Sequence, residues 1–455
     1  MEAISHPGPR SAAMLAELRQ YVLADPWPFC IDLENCQGMY LATVDGQQLF
    51  DWAGGYASKW IAHNHPRLFE TDYLRRLSFA ANHKLANPDF LTPECLAYYR
   101  ALHEVAPRCM KGGKLEVYTV NSGAEAVENM MKYFINLHDA KPQKSKTARR
   151  FIYFDQAFHG RTVFALNITE LSHAPVITQH FHGLVRGNIQ IPFPAIHTDE
   201  TPERNRQRTD HALELVQQAL QDHGDEIVAI ITEPIQGAGG HRVAEAEFFQ
   251  GLSRLAEAHD VFFGFDEVQT AGGQTGEFFM ADQLDLPYPP HAIAAAKKLA
   301  NGVLYMRSPM IDVGVLDSTW GGSLADMVRF CQELEIVRSE RLIEQVPEKS
   351  AHLIATLKAL QQEHPDKISN VRGSGLYQGF SLATPKLKSA LLQQALQQEN
   401  LLLLGAGQYS VRLRPNLHVS EEDIDQLGML LGKVLAGAVM SEGMKRDPGK
   451  KGRAG

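Results

Sequence analysis

The sequence lacks several features that would each have indicated a particular class of protein. Its five cysteines are scattered and include no CxxC pair, which argues against a disulfide framework or a zinc site and suits a reducing compartment. No apolar run is long enough to span a bilayer, and the first residues lack the basic-then-apolar pattern of a secretory signal. We therefore expect a cytoplasmic protein that has no membrane partner.

The chain also lacks an excess of positive charge. Its net charge of −9 argues against nucleic acid as a partner, because a phosphate lattice attracts a basic surface. With 44% hydrophobic and 21% charged residues, the composition is that of an ordinary globular protein. At 455 residues the chain exceeds the size of one hydrophobic core, so we expect two domains.

Short apolar segments alternate with longer amphipathic ones through the middle of the chain. The predicted strands are 117–120, 151–154, Ile227–Thr232 and 261–265. The predicted helices are 124–137, 210–222, 246–259 and 324–338. This alternation predicts an α/β fold with a mostly parallel sheet covered by helices, in which ligands lie at the carboxyl ends of the strands.

Both ends of the chain are expected to build a second, smaller α+β domain. Residues 39–52 form a predicted hairpin around Asp45-Gly46. Near the other end we predict helices at 348–364 and 386–399, strands at 376–382, 401–404 and 411–413, and a last helix from Ser420. The expected boundaries are 1–64 and 339–443 for the small domain and 65–338 for the large one, with a disordered tail at 444–455.

The most informative motif follows the strand at 261–265. Asp266 ends this apolar segment, and the lysine pair Lys297-Lys298 comes about 30 residues later. A carboxylate and an amine so placed suit pyridoxal phosphate, since a lysine forms an imine with the cofactor aldehyde. An aspartate keeps the pyridine nitrogen protonated, so that the ring can accept electrons. The pair alone is common, and it needs the rest of a site.

Two further loops could complete such a site. Asn121-Ser122-Gly123-Ala124 lies between a strand and a helix, where small residues expose backbone N–H groups to a phosphate. Phe158-His159-Gly160-Arg161 places an aromatic ring and a cation in the next loop. Each motif is weak alone, because Ser-Gly before a helix is also an ordinary cap.

Together these motifs resemble the class III (subgroup II) aminotransferases, a family of fold-type I pyridoxal-phosphate enzymes, over about residues 33–432. The segments that carry the resemblance are Leu49-Phe50-Asp51-Trp52, His65-Pro66, Asn121 to Glu128, Phe158 to Arg161, Glu233-Pro234-Ile235-Gln236-Gly237, Phe265 to Thr270, Ala296-Lys297, Ser318-Thr319-Trp320-Gly321-Gly322 and Val411-Arg412-Leu413-Arg414-Pro415. The run from Ser318 to Arg329 and the doubled lysine are most similar to the L-lysine 6-transaminase branch, followed by 4-aminobutyrate transaminases.

The resemblance implies a large domain with a mostly parallel seven-stranded sheet and a role for each motif. Lys297 is the implied imine lysine, because Ala296 precedes it and a glycine-containing turn follows, whereas Lys298 fits less well. The implied cofactor-binding residues are Ser122, Gly123 and Ala124 for the phosphate, Phe158 and Val268 on the two ring faces, Gln269 near the phenolic oxygen, Asp266 at the pyridine nitrogen, and His159 and Glu233 beside them. We expect Glu233 to steady Asp266 rather than to act as an acid or base.

The resemblance also implies the substrates and the assembly. Arg161 would bind the carboxylate of the amine donor, and Arg412 the α-carboxylate of a keto acid, since a planar guanidinium pairs with a carboxylate through two hydrogen bonds. A terminal amine of a lysine-like donor would pass to 2-oxoglutarate, giving a semialdehyde and glutamate. Thr319 would reach the phosphate of a second subunit, so the implied assembly is a homodimer with shared sites.

Two residues depart from the pattern of the family. Related enzymes usually carry a second glutamate five residues after Glu233, where this chain has Ala238, and that glutamate neutralises the acceptor-binding arginine. Its absence leaves open how ω-amines are separated from α-amino acids. Asn416 also replaces a proline that is common at its position.

Several alternatives remain at this point. The donor could be 4-aminobutyrate or ornithine, or the protein could be a pyridoxal-phosphate isomerase such as an aminomutase, or a non-catalytic binding protein on the same fold. A nicotinamide dehydrogenase is disfavoured, because no GxGxxG lies at a strand–helix turn. His63 and His65 have no supporting carboxylate cluster in the sequence, so we predict no metal site and interpret them, with His180 and His182, as structural or surface histidines.

Overall fold

The computed structural model describes residues 5–181 and 187–437, so His182 and the predicted tail at 444–455 lie outside the described residues. The helices are α1 (Pro9–Leu18), α2 (Gly54–Ala57), α3 (Thr71–Asn82), α4 (Pro93–Glu104), α5 (Gly123–Asp139), α6 (Pro202–His223), α7 (Ala246–Ala258), α8 (Leu324–Ser339), α9 (Val346–Glu363), α10 (Pro385–Glu399) and α11 (Glu421–Gly437). The strands are β1 (Tyr40–Ala42), β2 (Gln48–Asp51), β3 (Glu116–Val120), β4 (Arg150–Phe154), β5 (Ile189–Ile191), β6 (Ile227–Thr232), β7 (Ile235–Gln236), β8 (Arg242–Val243), β9 (Phe262–Asp266), β10 (Ala292–Ala295), β11 (Gly302–Met306), β12 (Ile368–Ser374), β13 (Tyr377–Leu382), β14 (Leu401–Leu402), β15 (Leu404–Ala406) and β16 (Ser410–Arg412).

The central element is a seven-stranded sheet with the order β3-β11-β10-β9-β6-β4-β5. Only β11 runs antiparallel to its neighbours β3 and β10; the other adjacent pairs are parallel. Every residue of β6 and β9 is buried, as expected for central strands that are covered on both faces. The prediction of a mostly parallel α/β sheet is confirmed.

Helix α5 packs directly on the middle of this sheet. Its N-cap is Ser122, whose Oγ accepts the backbone N–H of Glu125 at 3.3 Å. Met130 and Phe134 lie on its buried face, over Gly264 of β9. A Cβ at Gly264 would lie 2.7 Å from the Met130 sulfur, so glycine allows the helix to approach closely enough to place its N-terminus at the carboxyl edge of the sheet.

Segments from both ends of the chain meet in smaller sheets. β2 pairs antiparallel with β1 and parallel with β14, so that Phe50 lies opposite Leu401. β12, β13, β16 and β15 form a separate antiparallel sheet in that order. This second sheet brings Arg412, at the end of β16, towards the large sheet.

Some predicted boundaries need correction. The predicted strand at 401–404 is two short strands in different sheets, β14 and β15, because the residues before and after Leu403 pair with different strands, β2 and β16. The predicted helix at 210–222 begins earlier, at Pro202, where a proline suits the first helical turn. β10 and β11 were not predicted, since fully buried strands show no alternation of apolar and polar residues. Among the described residues, no helix is both long and apolar enough to cross a bilayer.

Candidate active site

A cavity of about 350 Å³ lies at the carboxyl edge of the large sheet. The residues predicted from the sequence that line it are Ser122, Gly123, Ala124, Phe158, His159, Arg161, Glu233, Asp266, Val268, Gln269 and Lys297. Two predicted residues lie elsewhere: Thr319 is exposed on the surface of its own chain, and Arg412 is buried within β16. Parallel strands end at one edge of the sheet, which explains why motifs far apart in sequence meet here.

One end of the cavity is formed by the first turn of α5. A Cβ at Gly123 would lie 2.7 Å from Val268 Cγ1 and 3.3 Å from Ala296 Cβ, so no larger residue fits there. A Cβ at Gly160 would similarly lie 2.7 Å from the Ala124 Cβ. This close packing leaves the N–H groups of a helix N-terminus facing the cavity, where they and the helix dipole favour a phosphate.

Asp266 occupies the floor of the cavity and is held from two sides. Its Oδ2 lies 2.8 Å from His159 Nδ1, and its Oδ1 accepts the Val268 N–H at 3.0 Å. Burial alone would lower the pKa of His159, but the hydrogen bond and charge of Asp266 outweigh it and raise that pKa. The carboxylate therefore has a fixed orientation, with a partner that stabilises its negative charge.

Glu233 fixes the loop that carries Phe158. Its two carboxyl oxygens accept the N–H groups of Phe158 at 3.0 Å and Gly237 at 3.3 Å. Burial raises the pKa of Glu233 to about 7, Asp266 adds to this rise, and His159 opposes it. Its hydrogen bonds hold this loop next to Asp266, and the expectation that Glu233 does no acid–base work stays a prediction.

The two adjacent lysines point to different surroundings. Lys297 lines the cavity and has a left-handed backbone conformation, with φ of +55°. Burial lowers the pKa of Lys297, while the charges of Asp266 and Arg412 act on it in opposite directions. The Lys298 amine is buried and bonds the Gln269 carbonyl and, at 2.8 Å, the Tyr377 hydroxyl. Of the two lysines, Lys297 lines the cavity, whereas the Lys298 amine is held by Gln269 and Tyr377.

Three buried arginines surround His241, and we call Arg372, Arg412 and Arg414 the arginine cluster. No carboxylate among the described residues forms an ion pair with any of them. Burial is the main cause that lowers their pKa values, to about 10 for Arg372 and Arg412 and about 9 for Arg414. Asp199 acts on Arg372, and Glu233 on Arg412 and Arg414, only as charges without a direct ion pair, so among the described residues the cluster has no carboxylate bonded to it.

The members of the arginine cluster differ in how their donors are used. Arg414 donates to Gln269 Oε1 at 3.1 Å and to His241 Nδ1 at 3.0 Å, and it stacks on the Tyr377 ring at 4.4 Å. Arg372 donates to the backbone carbonyls of Gly240 and His241. The Nε and Nη1 atoms of Arg412 are buried and have no partner among the described residues. Arg412 is thus the member prepared to receive an anion.

Sequence reasoning missed Tyr56, which acts on Arg412. The residues Gly54–Ala57 all have positive φ, between +52° and +72°, so α2 is a left-handed turn. A Cβ at Gly54 would lie 1.8 Å from the Arg414 carbonyl oxygen, so only glycine fits there. The half-exposed Tyr56 is strained in this conformation, and its phenol opposes the fall that burial causes in the Arg412 pKa. The pair Gly54-Gly55 was the available signal.

Arg414 and His241 were also given no role from the sequence. Arg414 stands two residues after Arg412, just beyond the end of β16, and in an extended segment a period of two places both side chains on one face, which was the available signal. His241 lies in a glycine-rich turn with φ of +52° and has no comparable sequence signal.

The expectation that no carboxylate accompanies His65 is wrong. The Nε2 atoms of His65 and His418 lie 3.0 and 2.9 Å from the two carboxyl oxygens of Glu340. Their Nδ1 atoms accept the N–H groups of Arg67 and Ala62. A neutral imidazole has one N–H, so each ring carries it on Nε2 and donates it to Glu340. In this arrangement the cluster connects three distant segments of the chain, and the prediction of no metal site stays a prediction.

Comparisons with known proteins agree with this architecture. The family model described as aminotransferase class-III matches residues 23–435. The L-lysine-epsilon aminotransferase of Streptomyces clavuligerus is 30% identical, covering 90% of this chain and 91% of that protein. The acetylornithine aminotransferase of Gloeobacter violaceus is also 30% identical, covering 92% and 96%. The structure of the lysine aminotransferase from M. tuberculosis superimposes with a TM-score of 0.87 at 28% identity, covering 94% of this chain and 100% of the other.

Proposed function

Because this chain belongs to the class-III aminotransferases, which are pyridoxal-phosphate enzymes, we propose that it transfers the terminal amino group of a lysine-like diamino or ω-amino acid to 2-oxoglutarate. The products are a semialdehyde and glutamate. The observation that carries this proposal is the pair of arginines around Lys297. Arg161 lines the cavity, and Arg412, close enough to influence the Lys297 pKa, has unused donors. Two such groups suit substrates that carry a carboxylate at different distances from the reacting nitrogen.

The residues of the cavity fit the cofactor. The N-terminus of α5 at Ser122, Gly123 and Ala124 would hold the phosphate, and Ser122 keeps its hydroxyl hydrogen to donate because its Oγ only accepts from Glu125. Asp266, fixed by His159, would keep a proton on the ring nitrogen. When bound, pyridoxal phosphate supplies an aldehyde for the amine and a ring that accepts electrons from the substrate carbon.

The ring itself would lie between two side chains. Phe158 and Val268 both line the cavity and would cover its two faces. Gln269 would approach the phenolic oxygen, and its Oε1 is fixed by Arg414. Glu233 holds Phe158 in place through the backbone, so this part of the cavity is preorganised.

Lys297 would move the proton during the reaction. Its Nζ takes a proton from the substrate carbon as general base and returns one as general acid. Burial lowers the pKa of this amine and makes the neutral form more accessible near neutral pH. Arg161 would hold the donor carboxylate and Arg412 the α-carboxylate of the acceptor, so each substrate presents the correct atom to the same lysine.

We further propose a homodimer with shared sites in the cytoplasm, where the five free cysteines would stay reduced. Thr319 is exposed and does not line the cavity of its own chain. A residue that contacts the cofactor of a second subunit is expected to have this position. Beside it, Phe90, Leu91 and Trp320 expose 64%, 67% and 44% of their surface. Exposed apolar side chains grouped in this way are typical of an interface.

A panel of amine donors tested with 2-oxoglutarate and pyridoxal phosphate checks the activity. We expect the highest kcat/KM for a donor with a terminal amine and a distal carboxylate, and glutamate as a product. Turnover that needs no keto acid would contradict transamination and favour an isomerase. A best rate with ornithine or 4-aminobutyrate would change only the donor.

Co-expression of Lys297→Ala and Thr319→Ala chains tests the shared site. Mixed dimers should regain one intact site and part of the activity, whereas each variant alone should have little. Unchanged cofactor affinity in Thr319→Ala, or a monomeric mass in sedimentation, would contradict this assembly.

A further inference from the structure

His241 is a buried histidine with one ring nitrogen in use and one without a partner. Its Nδ1 lies 3.0 Å from Arg414 Nη2. Arginine can only donate, so Nδ1 must accept, and a neutral ring then carries its proton on Nε2. That Nε2 atom is buried and has no hydrogen-bond partner among the described residues.

The surroundings of His241 keep its ring neutral. Burial holds the pKa of His241 well below its usual value, and the charges of Arg414, Arg372 and Arg412 lower it further. The ring therefore offers a neutral N–H donor rather than a fourth positive charge. This donor is unsatisfied, and a buried unsatisfied donor in a native protein calls for an acceptor.

The position of the ring relates this donor to Arg412. Gly379 lies directly opposite Arg412 in the β13–β16 pair, and directly opposite residues project to the same face of a sheet. A Cβ at Gly379 would lie 2.5 Å from His241 Cδ2, the atom bonded to Nε2. The imidazole thus occupies the space of a side chain at position 379, next to that of Arg412.

These two neighbouring side chains carry three buried donors that have no acceptor among the described residues: Nε2–H of His241 and the Nε and Nη1 groups of Arg412. A carboxylate has two oxygens with about four lone-pair positions, enough to accept all three hydrogen bonds. The neighbouring Ala238 is partly exposed and brings no carboxylate of its own. Because no described residue supplies an acceptor, a carboxylate of a bound ligand would suit these donors.

We propose that His241 is a specificity-determining residue whose Nε2–H binds, together with Arg412, the α-carboxylate of the keto-acid acceptor. This inference rests on the proposed function, since it assigns a second donor to the same acceptor site. A neutral donor strengthens the hold on the carboxylate without adding charge to the arginine cluster. The neutral donor of His241 also distinguishes this pocket from that of relatives with a glutamate at the position of Ala238, where the glutamate would compete with the substrate for Arg412.

Binding of glutarate to the holoenzyme, measured by calorimetry, tests the donor directly, because glutarate has two carboxylates and no reactive carbonyl. Because His241→Leu loses a hydrogen bond to a charged group, its Kd for glutarate should be about tenfold to a hundredfold higher than that of the wild type. KM for 2-oxoglutarate should rise in parallel, while the single-turnover rate of the donor half-reaction should change by less than about twofold. Melting temperatures would show whether each variant is folded.

Two further variants test whether the N–H donor of His241 is what binds glutarate. His241→Asn keeps an oxygen that can accept from Arg414 and an N–H that can donate, so it should regain most of the glutarate affinity. His291→Leu is the matched control, because His291 is a partly buried histidine with its pKa lowered to about 3 by burial, bonded to the Phe263 N–H instead. It should bind glutarate as the wild type does.

Unchanged glutarate affinity in His241→Leu would overturn the inference, as would equal losses in His241→Leu and His241→Asn. Wild-type holoenzyme that binds no glutarate would overturn it too. Failure of the proposed function looks different: the wild type would bind glutarate with the predicted dependence on His241, yet would not use 2-oxoglutarate as an acceptor.

Discussion

The cofactor end of the site and the arginine cluster treat buried charge in opposite ways. Asp266 is fixed by His159 and a backbone N–H, and Glu233 accepts two backbone N–H groups. The arginine cluster has no ion pair among the described residues, and Arg412 keeps two unused donors. One end is complete within the chain, whereas the other, under our proposal, receives its negative charge from the substrate.

This difference indicates where selectivity arises. Groups that the protein already satisfies can hold a cofactor in one orientation during every half-reaction. Groups left unsatisfied gain most from a ligand that satisfies them, because the cost of desolvating the guanidinium is already met in the folded state. Changes at the cofactor end should therefore affect both half-reactions, and changes in the arginine cluster mainly one.

The largest effect is expected for Lys297→Ala. No other amine among the described residues lines the cavity, so turnover should fall by about 10²–10⁴-fold or more. Borohydride reduction of the holoenzyme followed by peptide mapping should find the cofactor on Lys297. The Lys298→Met variant should be labelled at the same position, and a pyridoxyl group on Lys298 would contradict the assignment.

The next largest effect separates the two arginines. Losing a bidentate contact to a buried carboxylate costs about 2–5 kcal/mol. Arg161→Ala should impair mainly the donor half-reaction, and Arg412→Ala mainly the acceptor half-reaction, in single-turnover measurements. Equal losses in both half-reactions for both variants would mean that the two arginines do not divide the substrates.

Glu233→Gln tests the cofactor end through pH. Burial raises the pKa of Glu233 from 4.5 to about 7, so its folded form binds the proton more tightly than its unfolded form. Its contribution to the free energy of unfolding is thus complete below about pH 4.5 and is lost as pH rises through about 7. The glutamine side chain of the variant cannot titrate, so urea unfolding at pH 5 and pH 8 should show a pH dependence smaller by about 1–3 kcal/mol. If the free energy of unfolding of Glu233→Gln depended on pH as strongly as that of the wild type, the raised pKa of Glu233 would be contradicted.

The smallest effect is expected for Ala238→Glu, which would give the arginine cluster the carboxylate it lacks. By pairing with Arg412, the new glutamate should weaken the binding of α-amino acids such as glutamate by about tenfold, through competition for one guanidinium. Competition of glutamate against the ω-amine donor measures this change. Ala238→Gln, which is similar in size and uncharged, should change the affinity for glutamate much less. Equal effects of the glutamate and glutamine variants would indicate that the size of the side chain, and not its charge, is the cause.

The cofactor end was far more predictable from the sequence than the arginine cluster. Ser122 follows β3, Asp266 ends β9 and Lys297 follows β10. The predicted strands were enough to expect Ser122 and Asp266 at one edge, whereas Lys297 was identified from its motif and from the resemblance, because β10 was not predicted. Arg412 was identified only through a resemblance, and His241, Arg414 and Tyr377 received no role. They come from the turn before β8, the end of β16 and the start of β13, which meet only through pairing between distant segments. The domain boundaries at 64/65 and 338/339 stay predictions.

The sequence by itself determined the order of strands and helices, the family and the chemistry of the pair Asp266 and Lys297, because these depend on local periodicity and on motifs that are short and contiguous. Tertiary structure alone decided which carboxylates are partnered, how the Lys298 amine is held, and that three buried arginines lie around His241 without an ion-paired carboxylate among the described residues. Burial and hydrogen-bond partners set those properties, and both arise from residues far apart in the chain. A linear pattern lists the charged groups, whereas only the folded chain leaves some of them for a substrate to neutralise.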